Sequence, residues 1–396
     1  MRLLEKIKSL SQQYSQEVIG LRRHLHANPE LSYQEHNTVK FVAQTLRSFG
    51  IEPIEGIADT GLIAEIKGKN PGKKTIALRA DMDALPITEA NDVPYKSKNV
   101  GVMHACGHDA HTSSLLGTAK ILNEVKEQFE GTVRLLFQPG EEKNPGGASL
   151  MIRDGALKNP EPAAIIGQHV FPLLPVGKIG FREGMYMASS DEIYLKVIGK
   201  GGHGAAPELA IDPIIIASHI ILGLQQIISR NASPKQSTVL TFGKISGGTA
   251  VNIIPDEVTI DGTFRAMNET WRAEGLKKIK KMAENIAEGM GGKCEVTISH
   301  GYPYLENNPA VTRRIKKAAE EYVGKENVVD LDITLGSEDF AFYSHVVPAS
   351  FYRIGTRNEA KGIASYVHTP TFNIDEDALT IGPGLMAWMA LQELAQ

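Results

Sequence analysis

The sequence has few of the residues that mark several specialised classes of protein. Only two of its 396 residues, Cys106 and Cys294, are cysteines. A disulfide-stabilised scaffold is therefore excluded, and a reducing, cytoplasmic compartment is expected. Acidic and basic residues are nearly balanced, at 46 and 42. The chain thus lacks the basic surplus that binding to nucleic acid or to an anionic membrane surface would need.

The sequence also lacks a long uninterrupted hydrophobic run. The longest apolar stretch, residues 211–228, contains Asp212, Pro213 and His219. These residues argue against a membrane span and favour a buried helix. Residues 1–15 mix charged and apolar side chains and have no continuous apolar core, so they do not resemble a signal peptide, and the mature chain is expected to begin near Met1.

Helical and strand patterns alternate from residue 34 to about residue 170. Residues 35–49 have helical periodicity, whereas residues 75–79, 133–137 and 163–167 are short runs rich in apolar and β-branched side chains. Such alternation is typical of an α/β fold. We therefore predict a mostly parallel sheet with helices on both faces.

The pattern changes between residues 182 and 295. Apolar and polar residues alternate at 193–197, 238–242 and 258–264, as in half-exposed strands, whereas residues 211–229 and 271–290 have helical patterns. This predicts a small α+β domain with two helices on one face of an antiparallel sheet. The α/β pattern resumes after Asn308, a helix N-cap followed by proline. We therefore predict a larger domain at residues 1–181 and 296–396, with an inserted domain at residues 182–295.

Metal-binding side chains are concentrated in one short segment. Residues 103–111 contain three histidines, one cysteine and one aspartate. Cys106 and His108 can point to one place from a tight turn, which Gly107 between them permits. A thiolate with imidazoles suits Zn, Ni, Co or Fe, and histidine with carboxylates accepts Mn. The alternative is structural: a buried cysteine beside a helix that Asp109 caps.

Three predicted strands of the first region lead into acidic residues or histidine. Because ligands bind outside the carboxyl ends of the strands in open α/β sheets, these groups are expected to converge. Solvated turn residues would explain any one of these strand ends but explain all three together poorly. The residues concerned are Asp81, Asp83, Glu141, Glu142 and His169.

The adjacent Glu141 and Glu142 suit a division of labour in a hydrolase. One carboxylate can hold a metal ion that lowers the pKa of a water molecule, while its neighbour takes the proton of that water as a general base. A pair of ions needs about five ligands or more. The sequence offers Cys106, His108, Glu142, His169 and, near the carboxyl end, His368.

Several specific motifs are spread over nearly the whole chain. They are RRHLH at 22–26 with PELS at 29–32, RADMDALP at 79–86, GVMHACGHD at 101–109, GKGGHG at 199–204 and GSEDF at 336–340. Together they resemble the aminoacylase and hippurate hydrolase branch of the dinuclear metallopeptidases, which includes plant auxin-conjugate hydrolases and thermophilic carboxypeptidases.

The resemblance implies a catalytic domain with two divalent metal ions and an inserted lid domain that also forms a homodimer. By position, it implies metal ligation by Cys106, His108, Glu142, His169 and His368, with Glu141 as the general base. In the lid it implies substrate contacts by His203, Asn252 and Arg265. His203 would stabilise the oxyanion, and Arg265 would hold a free α-carboxylate.

One departure from the wider clan concerns the metal bridge. Other members bridge the ions with an aspartate and have a histidine where this sequence has Asp81, whereas here Cys106 takes the bridging place. The choice among Zn, Mn, Ni and Co stays open, and a thiolate makes the site sensitive to oxidation. Asp83 is expected to orient a ligand histidine. In the lid, residues 199–204 have the alternative of a simple glycine-rich turn, and Arg265 that of a surface charge.

These observations predict a metal-dependent amidohydrolase that splits an N-acyl amino acid into a carboxylic acid and a free amino acid. One alternative is a small-peptide carboxypeptidase or dipeptidase that uses the same site. The other is a non-catalytic metal-binding homologue, which Glu141 disfavours because a binding module has no use for a free carboxylate beside its ligands. The acyl group is selected by pocket walls that the sequence does not place.

Overall fold

A computed structural model describes residues 2–396 of the chain. Met1, near which the mature chain is expected to begin, lies outside the described residues. Within residues 2–396 there are nine α-helices. They are α1 (Leu3–Ala27), α2 (His36–Ser48), α3 (His108–Glu124), α4 (Gly147–Arg153), α5 (Pro213–Gln226), α6 (Glu269–Gly289), α7 (Pro309–Val323), α8 (Ala341–Ser344) and α9 (Ala378–Leu394).

The same part of the chain contains sixteen β-strands. They are β1 (Pro53–Ile57), β2 (Gly61–Lys67), β3 (Thr75–Asp81), β4 (Thr132–Gln138), β5 (Ala164–Pro175), β6 (Ile179–Phe181), β7 (Gly184–Met187), β8 (Asp191–Ile198), β9 (Gly202–His203), β10 (Thr238–Ser246), β11 (Ile253–Ile254), β12 (Glu257–Ala266), β13 (Lys293–His300), β14 (Leu305–Asn307), β15 (Val328–Asp330) and β16 (Ala349–Arg357).

The chain divides into two compact units. The larger unit contains the chain up to Tyr186 together with Glu306–Ile333 and Asp339–Gln396, and the smaller contains Met187–Leu305 and Thr334–Glu338. The sequence-based boundaries need correction at both ends of the insert. The boundary at 295 falls inside β13, which pairs with β8 along its whole length.

Two segments belong to a different unit from the one that the sequence predicted, and hydrogen bonds explain both cases. Residues 182–186 belong to the larger unit, where the Tyr186 hydroxyl accepts a hydrogen bond from Arg353 Nε at 2.9 Å. Residues 334–338 belong to the smaller unit, where the Gly336 carbonyl accepts the Ala188 N–H at 3.0 Å. Both contacts join residues far apart in sequence, so local patterns did not reveal them.

The larger unit is built on an eight-stranded sheet with the order β1-β2-β4-β3-β5-β16-β6-β15. Its centre is parallel, because β3 pairs in parallel with β4 and β5, and β5 pairs in parallel with β16. Strands β1, β2 and β6 contribute antiparallel pairs. The sheet is therefore mixed with a parallel centre, and the predicted α/β fold class is confirmed.

Helices cover both faces of this sheet. The two faces can be told apart because successive side chains of a strand point to opposite sides. Ser350 of β16 hydrogen bonds Thr312 of α7 at 2.9 Å, whereas the ring of the next residue, Phe351, contacts that of Phe340, before α8, with centroids 4.9 Å apart. Helices α3, α7 and α9 lie on the first side, and α4 and α8 pack together on the other. All seven residues of β3 are buried, as expected for a central strand covered on both faces.

The parallel strands β3, β4 and β5 bring their carboxyl ends to one edge of the sheet. Strand β3 ends at Asp81, which is in register with Gln138 at the end of β4. Strand β5 runs past the predicted end at 167, through His169, to Pro175. The candidate metal centre lies at this edge, where sites form in open α/β sheets.

The smaller unit has a four-stranded antiparallel sheet with the order β10-β12-β8-β13. In β8, the buried residues Ile193, Leu195 and Val197 alternate with more exposed ones. Helices α5 and α6 pack on each other and on this sheet. The strand and helix pattern predicted for this region is present.

Helix α5 is only half buried, although the sequence predicted a buried helix. With the turn that follows, Pro213–Asn231 is apolar and long enough to cross a membrane by length and composition, and 33% of its most apolar window is buried. One side, including Ile220 and Leu224, packs in the core of the smaller unit. The other side exposes Leu222, at 73%, and Ile215, at 49%.

Candidate metal centre

A tight turn at the start of α3 contains the predicted metal ligands Cys106 and His108. Gly107, with φ +86°, precedes the helix, and a Cβ at this position would lie 2.4 Å from Val170 Cγ2. Only glycine fits this turn without strain. Because α3 begins at His108, Asp109 lies inside the first turn, where its carboxylate pairs with Arg22 and His26. The alternative that Asp109 caps the helix is wrong.

Six of the predicted residues are brought together in the larger unit. The donor atoms of Cys106, His108 and His169 lie within 4.8 Å of one another, and so do those of Cys106, Glu142 and His368. Cys106 belongs to both groups. A third group joins His108 with Glu142 and its neighbour Glu141.

Hydrogen bonds behind two imidazoles turn their Nε2 atoms toward this cluster. His108 Nδ1 lies 2.9 Å from the Asp83 carbonyl oxygen and 3.1 Å from Asp83 Oδ1. His169 Nδ1 donates to the Val170 carbonyl at 2.7 Å, and its Nε2 lies 3.4 Å from Cys106 Sγ. Because a carbonyl oxygen can only accept, Nδ1 carries a proton in both rings and Nε2 is the nitrogen that faces the cluster, which is how outer hydrogen bonds orient histidine ligands.

Glu142 and His368 form the other side of the cluster. His368 has φ +62°, which is uncommon for a residue with a side chain, and its N–H donates to the Ala105 carbonyl at 2.7 Å. His368 Nε2 lies 3.1 Å from Glu142 Oε1 without the alignment of a hydrogen bond. The Glu142 N–H donates to Asp83 Oδ2 at 3.0 Å. Asp83 therefore contacts both His108 and Glu142, as an orienting role requires.

The chemistry of these donors fits a bound divalent cation. His108 Nε2 and Glu142 Oε1 are buried and have no hydrogen-bond partner among the described residues, an arrangement that costs about 1–3 kcal/mol per neutral group unless a ligand satisfies it. Burial, together with Glu142 and Glu141, raises the pKa of the Cys106 thiol well above its usual value. A cation would offset this negative charge and favour the thiolate, so the residues present fit a metal ion.

The two histidines differ in their charge environment. Burial lowers the pKa of His108, but Asp81 and Asp83 outweigh it, and the pKa is raised to about 10 in the absence of a cation. Burial and the nearby Arg353 lower the pKa of His169 well below its usual value. His169 is therefore a neutral imidazole, the form that ligates metals.

Glu141 is buried beside the cluster, with 6% of its surface exposed. Its Oε1 accepts a hydrogen bond from the Asp339 N–H at 3.4 Å, and its Oε2 lies 4.0 Å from His108 Nε2. The carboxylate thus lies beside the donor cluster, and the hydrogen bond from Asp339 fixes one of its oxygens. This position suits a proton acceptor next to a metal site.

A buried polar network that the sequence did not predict lies behind the cluster. Asp81 accepts hydrogen bonds from Arg79 Nη1 and His111 Nδ1, both at 2.6 Å, and His111 Nε2 accepts the Val170 N–H at 2.8 Å. The other terminal nitrogen of Arg79, Nη2, donates to Asp339 Oδ1 at 2.7 Å. The only sequence signal for this network is the presence of Arg79 and Asp81 in an otherwise apolar strand.

His203 and Asn252 are neighbours in the smaller unit. His203 lies on β9, which pairs with β11, and the Asn252 carbonyl accepts the Gly204 N–H at 2.9 Å. The exposed His203 ring accepts the Ala205 N–H at Nδ1, at 3.0 Å. The neutral ring therefore carries its proton on Nε2, which is free to act as a hydrogen-bond donor.

Arg265 lies on β12 of the same unit. Its Nη1 donates to Ser337 Oγ at 3.0 Å. Burial lowers the pKa of Arg265 from its usual value. It is therefore a partly buried cation anchored by a neutral hydroxyl and not the freely solvated surface charge that was the alternative.

Known proteins resemble this chain over nearly its whole length. The family model for peptidase family M20/M25/M40 matches residues 77–392. The chain belongs to this family. N-acetyl-L-cysteine deacetylase of Bacillus subtilis (strain 168) is 42% identical over 363 residues, which cover 92% of this chain and 85% of that protein. Thermostable carboxypeptidase 2 of Saccharolobus solfataricus is 40% identical over 395 residues, 99% of each chain.

A solved structure has the same fold. The Bacillus subtilis YXEP protein, described as a dinuclear metal binding peptidase from the M20 family, superimposes with a TM-score of 0.82 at 37% identity, covering 97% of this chain and 99% of that one. The predicted resemblance is confirmed, and the chain is a metal-dependent hydrolase of the M20 family. These relatives do not support the alternative of a non-catalytic homologue.

Proposed function

We propose that this M20 hydrolase cleaves the amide bond of N-acyl amino acids, with acetyl, benzoyl or similar acyl groups, into a carboxylic acid and a free amino acid. The observation that carries the proposal is the pair of donor groups sharing Cys106, with Glu141 buried beside them. The relative that deacetylates N-acetyl-L-cysteine supports an N-acyl amino acid as the substrate class.

Five side chains would hold two divalent ions, with Zn, Mn, Ni and Co as the candidates. When bound, such ions polarise the substrate carbonyl and lower the pKa of a water molecule. Asp83 keeps the ligands in place through its contacts with His108 Nδ1 and the Glu142 N–H. The proposed ligands are Cys106, His108, Glu142, His169 and His368.

Glu141 is the proposed general base. Its carboxylate accepts a proton from the attacking water and returns it to the leaving amine, so that the amino acid departs with a neutral amino group. The Asp339 N–H, which holds Oε1, keeps this carboxylate beside the cluster throughout. Glu142, in contrast, serves as a ligand.

Three residues of the smaller unit are proposed to contact the substrate. The Nε2–H of His203 donates to the oxyanion of the tetrahedral intermediate, a stabilisation that is typically a large part of catalysis. Arg265 binds the α-carboxylate through its guanidinium. Asn252, beside His203, contributes a further polar contact.

We also propose that the smaller unit forms a homodimer. Strand β10 is at the edge of its sheet and pairs only with β12 among the described residues. Helix α5 of the same unit exposes Ile214, Ile215 and Leu222. An unpaired strand edge and an exposed apolar helix face are features that a second copy of the chain can cover.

Substrate hydrolysis with and without metal tests the proposed activity. The apoprotein, reloaded with Zn, Mn, Ni or Co, is assayed for release of amino groups from N-acetyl, N-benzoyl and indole-acyl amino acids. We expect hydrolysis that a chelator abolishes and one of these metals restores. The α-amides of the same substrates should lose about 10²-fold or more in kcat/KM, because they lack the charge that Arg265 binds. Arg265→Ala should narrow this difference.

A second candidate function, favoured by the carboxypeptidase relative, is cleavage of short peptides. Dipeptides in the same assay distinguish the two. Faster cleavage of dipeptides than of N-acyl amino acids would replace the proposal with a peptidase, and no hydrolysis of either class with any metal would contradict both.

A further inference from the structure

Glu35 is a buried carboxylate of the larger unit that the proposed mechanism does not use. It is 0% exposed and lies immediately before α2. Its two oxygens have different partners: Oε1 accepts the Gly140 N–H at 2.7 Å, and Oε2 accepts the Thr60 hydroxyl at 2.6 Å. The side chain thus joins two loops at normal hydrogen-bond lengths.

Gly140 immediately precedes the two glutamates of the metal centre. It has φ +59°, and a Cβ at this position would lie 2.2 Å from Tyr33 Cε1. The backbone is therefore pressed against the Tyr33 ring while its N–H is held by Glu35. A rotation at Gly140 would redirect the chain that carries Glu141 and Glu142, so the Glu35 contact bears directly on where these carboxylates point.

The residues just before Glu35 hold the same turn at further points. The Tyr33 hydroxyl donates to the Lys143 carbonyl at 2.6 Å and accepts the Gly146 N–H at 3.0 Å. Ser32 Oγ donates at 2.6 Å to Asp83 Oδ2, which also accepts the Glu142 N–H. Residues 32–35 thus contact the glutamate-bearing turn, or its Asp83 partner, through three side chains.

Thr60 is itself fixed by the turn between β1 and β2. Ala58 and Asp59 in this turn have φ of +53° and +67°, and left-handed backbone at non-glycine residues costs about 1–3 kcal/mol each. The Ala58 N–H is held by Asp154 Oδ2 at 2.9 Å. A Cβ at Gly61 would lie 2.8 Å from Pro139 Cδ, so this turn packs directly behind the residue preceding Gly140.

We propose that Glu35 is a positioning residue that fixes the turn carrying Glu141 through the Gly140 N–H, and that catalysis requires the length of its side chain and not its charge. This inference rests on the proposed function, because it takes Glu141 as the general base. Glu35 acts on the substrate only through the turn.

Length and charge can be separated by two conservative variants. Aspartate keeps the charge but is shorter by one methylene, so it cannot reach Gly140 and Thr60 together. Glutamine keeps the length and the acceptor for Gly140, and its amide can donate to the Thr60 hydroxyl, which is also an acceptor. Burial, with a contribution from Asp83, raises the pKa of Glu35 to about 7. A neutral side chain is therefore tolerated at this position.

The experiment compares kcat, KM and metal content of Glu35→Asp and Glu35→Gln for the N-acyl amino acid that the wild type cleaves fastest. We expect Glu35→Asp to lower kcat by about 10- to 100-fold, because small displacements of catalytic groups have effects of this size. KM and metal content should stay near wild type. Glu35→Gln should keep most of the wild-type kcat.

Glu30→Gln is the matched control for damage to the fold. Glu30 lies five residues earlier and accepts the N–H groups of Asn37 and Thr38 at 2.9 Å and 2.8 Å at the start of α2. This variant should lower the melting temperature and leave kcat unchanged. It shows how much a weakened α2 alone affects turnover.

Wild-type kcat in Glu35→Asp, or an equal loss in Glu35→Gln, overturns the positioning role while leaving the proposed function intact. If Glu35→Asp does not fold, Thr60→Val gives the same test, because it removes the hydroxyl that holds Oε2. Its kcat must then fall by about tenfold at constant KM, and an unchanged kcat overturns the role. Full activity in Glu141→Gln would be a different result: it would overturn the proposed function and this inference together.

Discussion

Cys106 is the residue shared by the two groups of donor atoms, so both proposed ions depend on it. We predict that Cys106→Ala loses most of both ions, whereas His368→Ala, which alters one group, keeps about one ion per chain. Metal analysis after dialysis measures the stoichiometry. Cys294→Ala is the control, since Cys294 lies in the smaller unit and should keep the wild-type content. Equal metal loss in Cys106→Ala and His368→Ala would contradict a shared thiolate.

His26 shows how a buried ion pair makes stability depend on pH. Its Nδ1 lies 2.8 Å from Asp109 Oδ2, and its Nε2 lies 3.1 Å from Glu89 Oε1. Burial lowers the pKa of His26, but the two carboxylates outweigh this effect, and the pKa is raised. The folded protein therefore binds this proton more tightly than the unfolded chain does. The resulting stabilisation is complete below the unfolded pKa of about 6.5 and is lost as pH rises through the raised folded pKa.

We accordingly predict that His26→Leu lowers the free energy of unfolding by about 1–3 kcal/mol at acid pH, because two buried carboxylates lose a charged hydrogen-bond donor, while Asp109 keeps Arg22 and Glu89 keeps the Ser97 N–H. The difference from wild type should shrink as the pH rises above the raised pKa. Chemical denaturation at a series of pH values, with saturating metal, measures it.

His24 on the same helix is the control for this pH dependence. It stacks on Phe41 with ring centroids 4.0 Å apart, and burial lowers its pKa. The contribution of His24 to the free energy of unfolding should therefore decrease as the pH falls, which is opposite to the pH dependence expected for His26. A loss in His26→Leu that grows with pH would contradict the charged state assigned to His26.

At the residue scale, the sequence could supply the identities of the cluster but not its orientation. The nine residues around Cys106 and the ends of three strands indicated most of the donor residues, because such side chains are rare at this density, whereas His368 came from a separate segment near the carboxyl end. The contact between Glu35 and Gly140 joins residues 105 positions apart. The pairing of Asp81 with His111 depends in the same way on how a strand and a helix pack. No local pattern encodes either contact.

At the element scale, most helices and strands follow from periodicity. Residues 35–49 correspond to α2, and residues 258–264 to β12. Strand β5 runs eight residues past its predicted end at 167, because residues beyond His169 pair with β16 up to Pro175. Pairing with a distant strand, and not local propensity, sets this boundary. Helix α5 is less buried than predicted for a related reason. Apolar residues lie all around the helix, but only one side of it packs against the sheet.

The exposed side of α5 gives a prediction about assembly. We expect the wild type to be a dimer and Leu222→Glu to be monomeric, because a charge in an apolar interface is costly to bury. Sedimentation measures the mass, and circular dichroism checks the fold. Ile54→Glu is the matched control, since Ile54 is an apolar residue of the larger unit with 58% exposure and should not affect the dimer. A monomeric wild type, or a dimeric Leu222→Glu, would contradict the proposed interface.

At the scale of the whole molecule, the sequence indicated two units but misplaced their limits. Residues 334–338 belong to the smaller unit although they are more than thirty residues beyond β13 in the chain. Their membership rests on hydrogen bonds such as the one between Ala188 and Gly336. A change of sequence pattern marks where the chain passes from one unit to the other. A segment as short as residues 334–338 has too few residues to show such a change.

We propose different roles for two adjacent carboxylates of this hydrolase, with Glu142 holding metal and Glu141 moving a proton. The most direct measurement is metal content and kcat for an N-acyl amino acid in Glu141→Gln and Glu142→Gln, prepared side by side. We expect Glu141→Gln to keep the wild-type metal content and to lose at least about 10²-fold in kcat, and Glu142→Gln to lose metal as well as activity. Equal loss of metal from both variants, or wild-type turnover in Glu141→Gln, would contradict this assignment of roles.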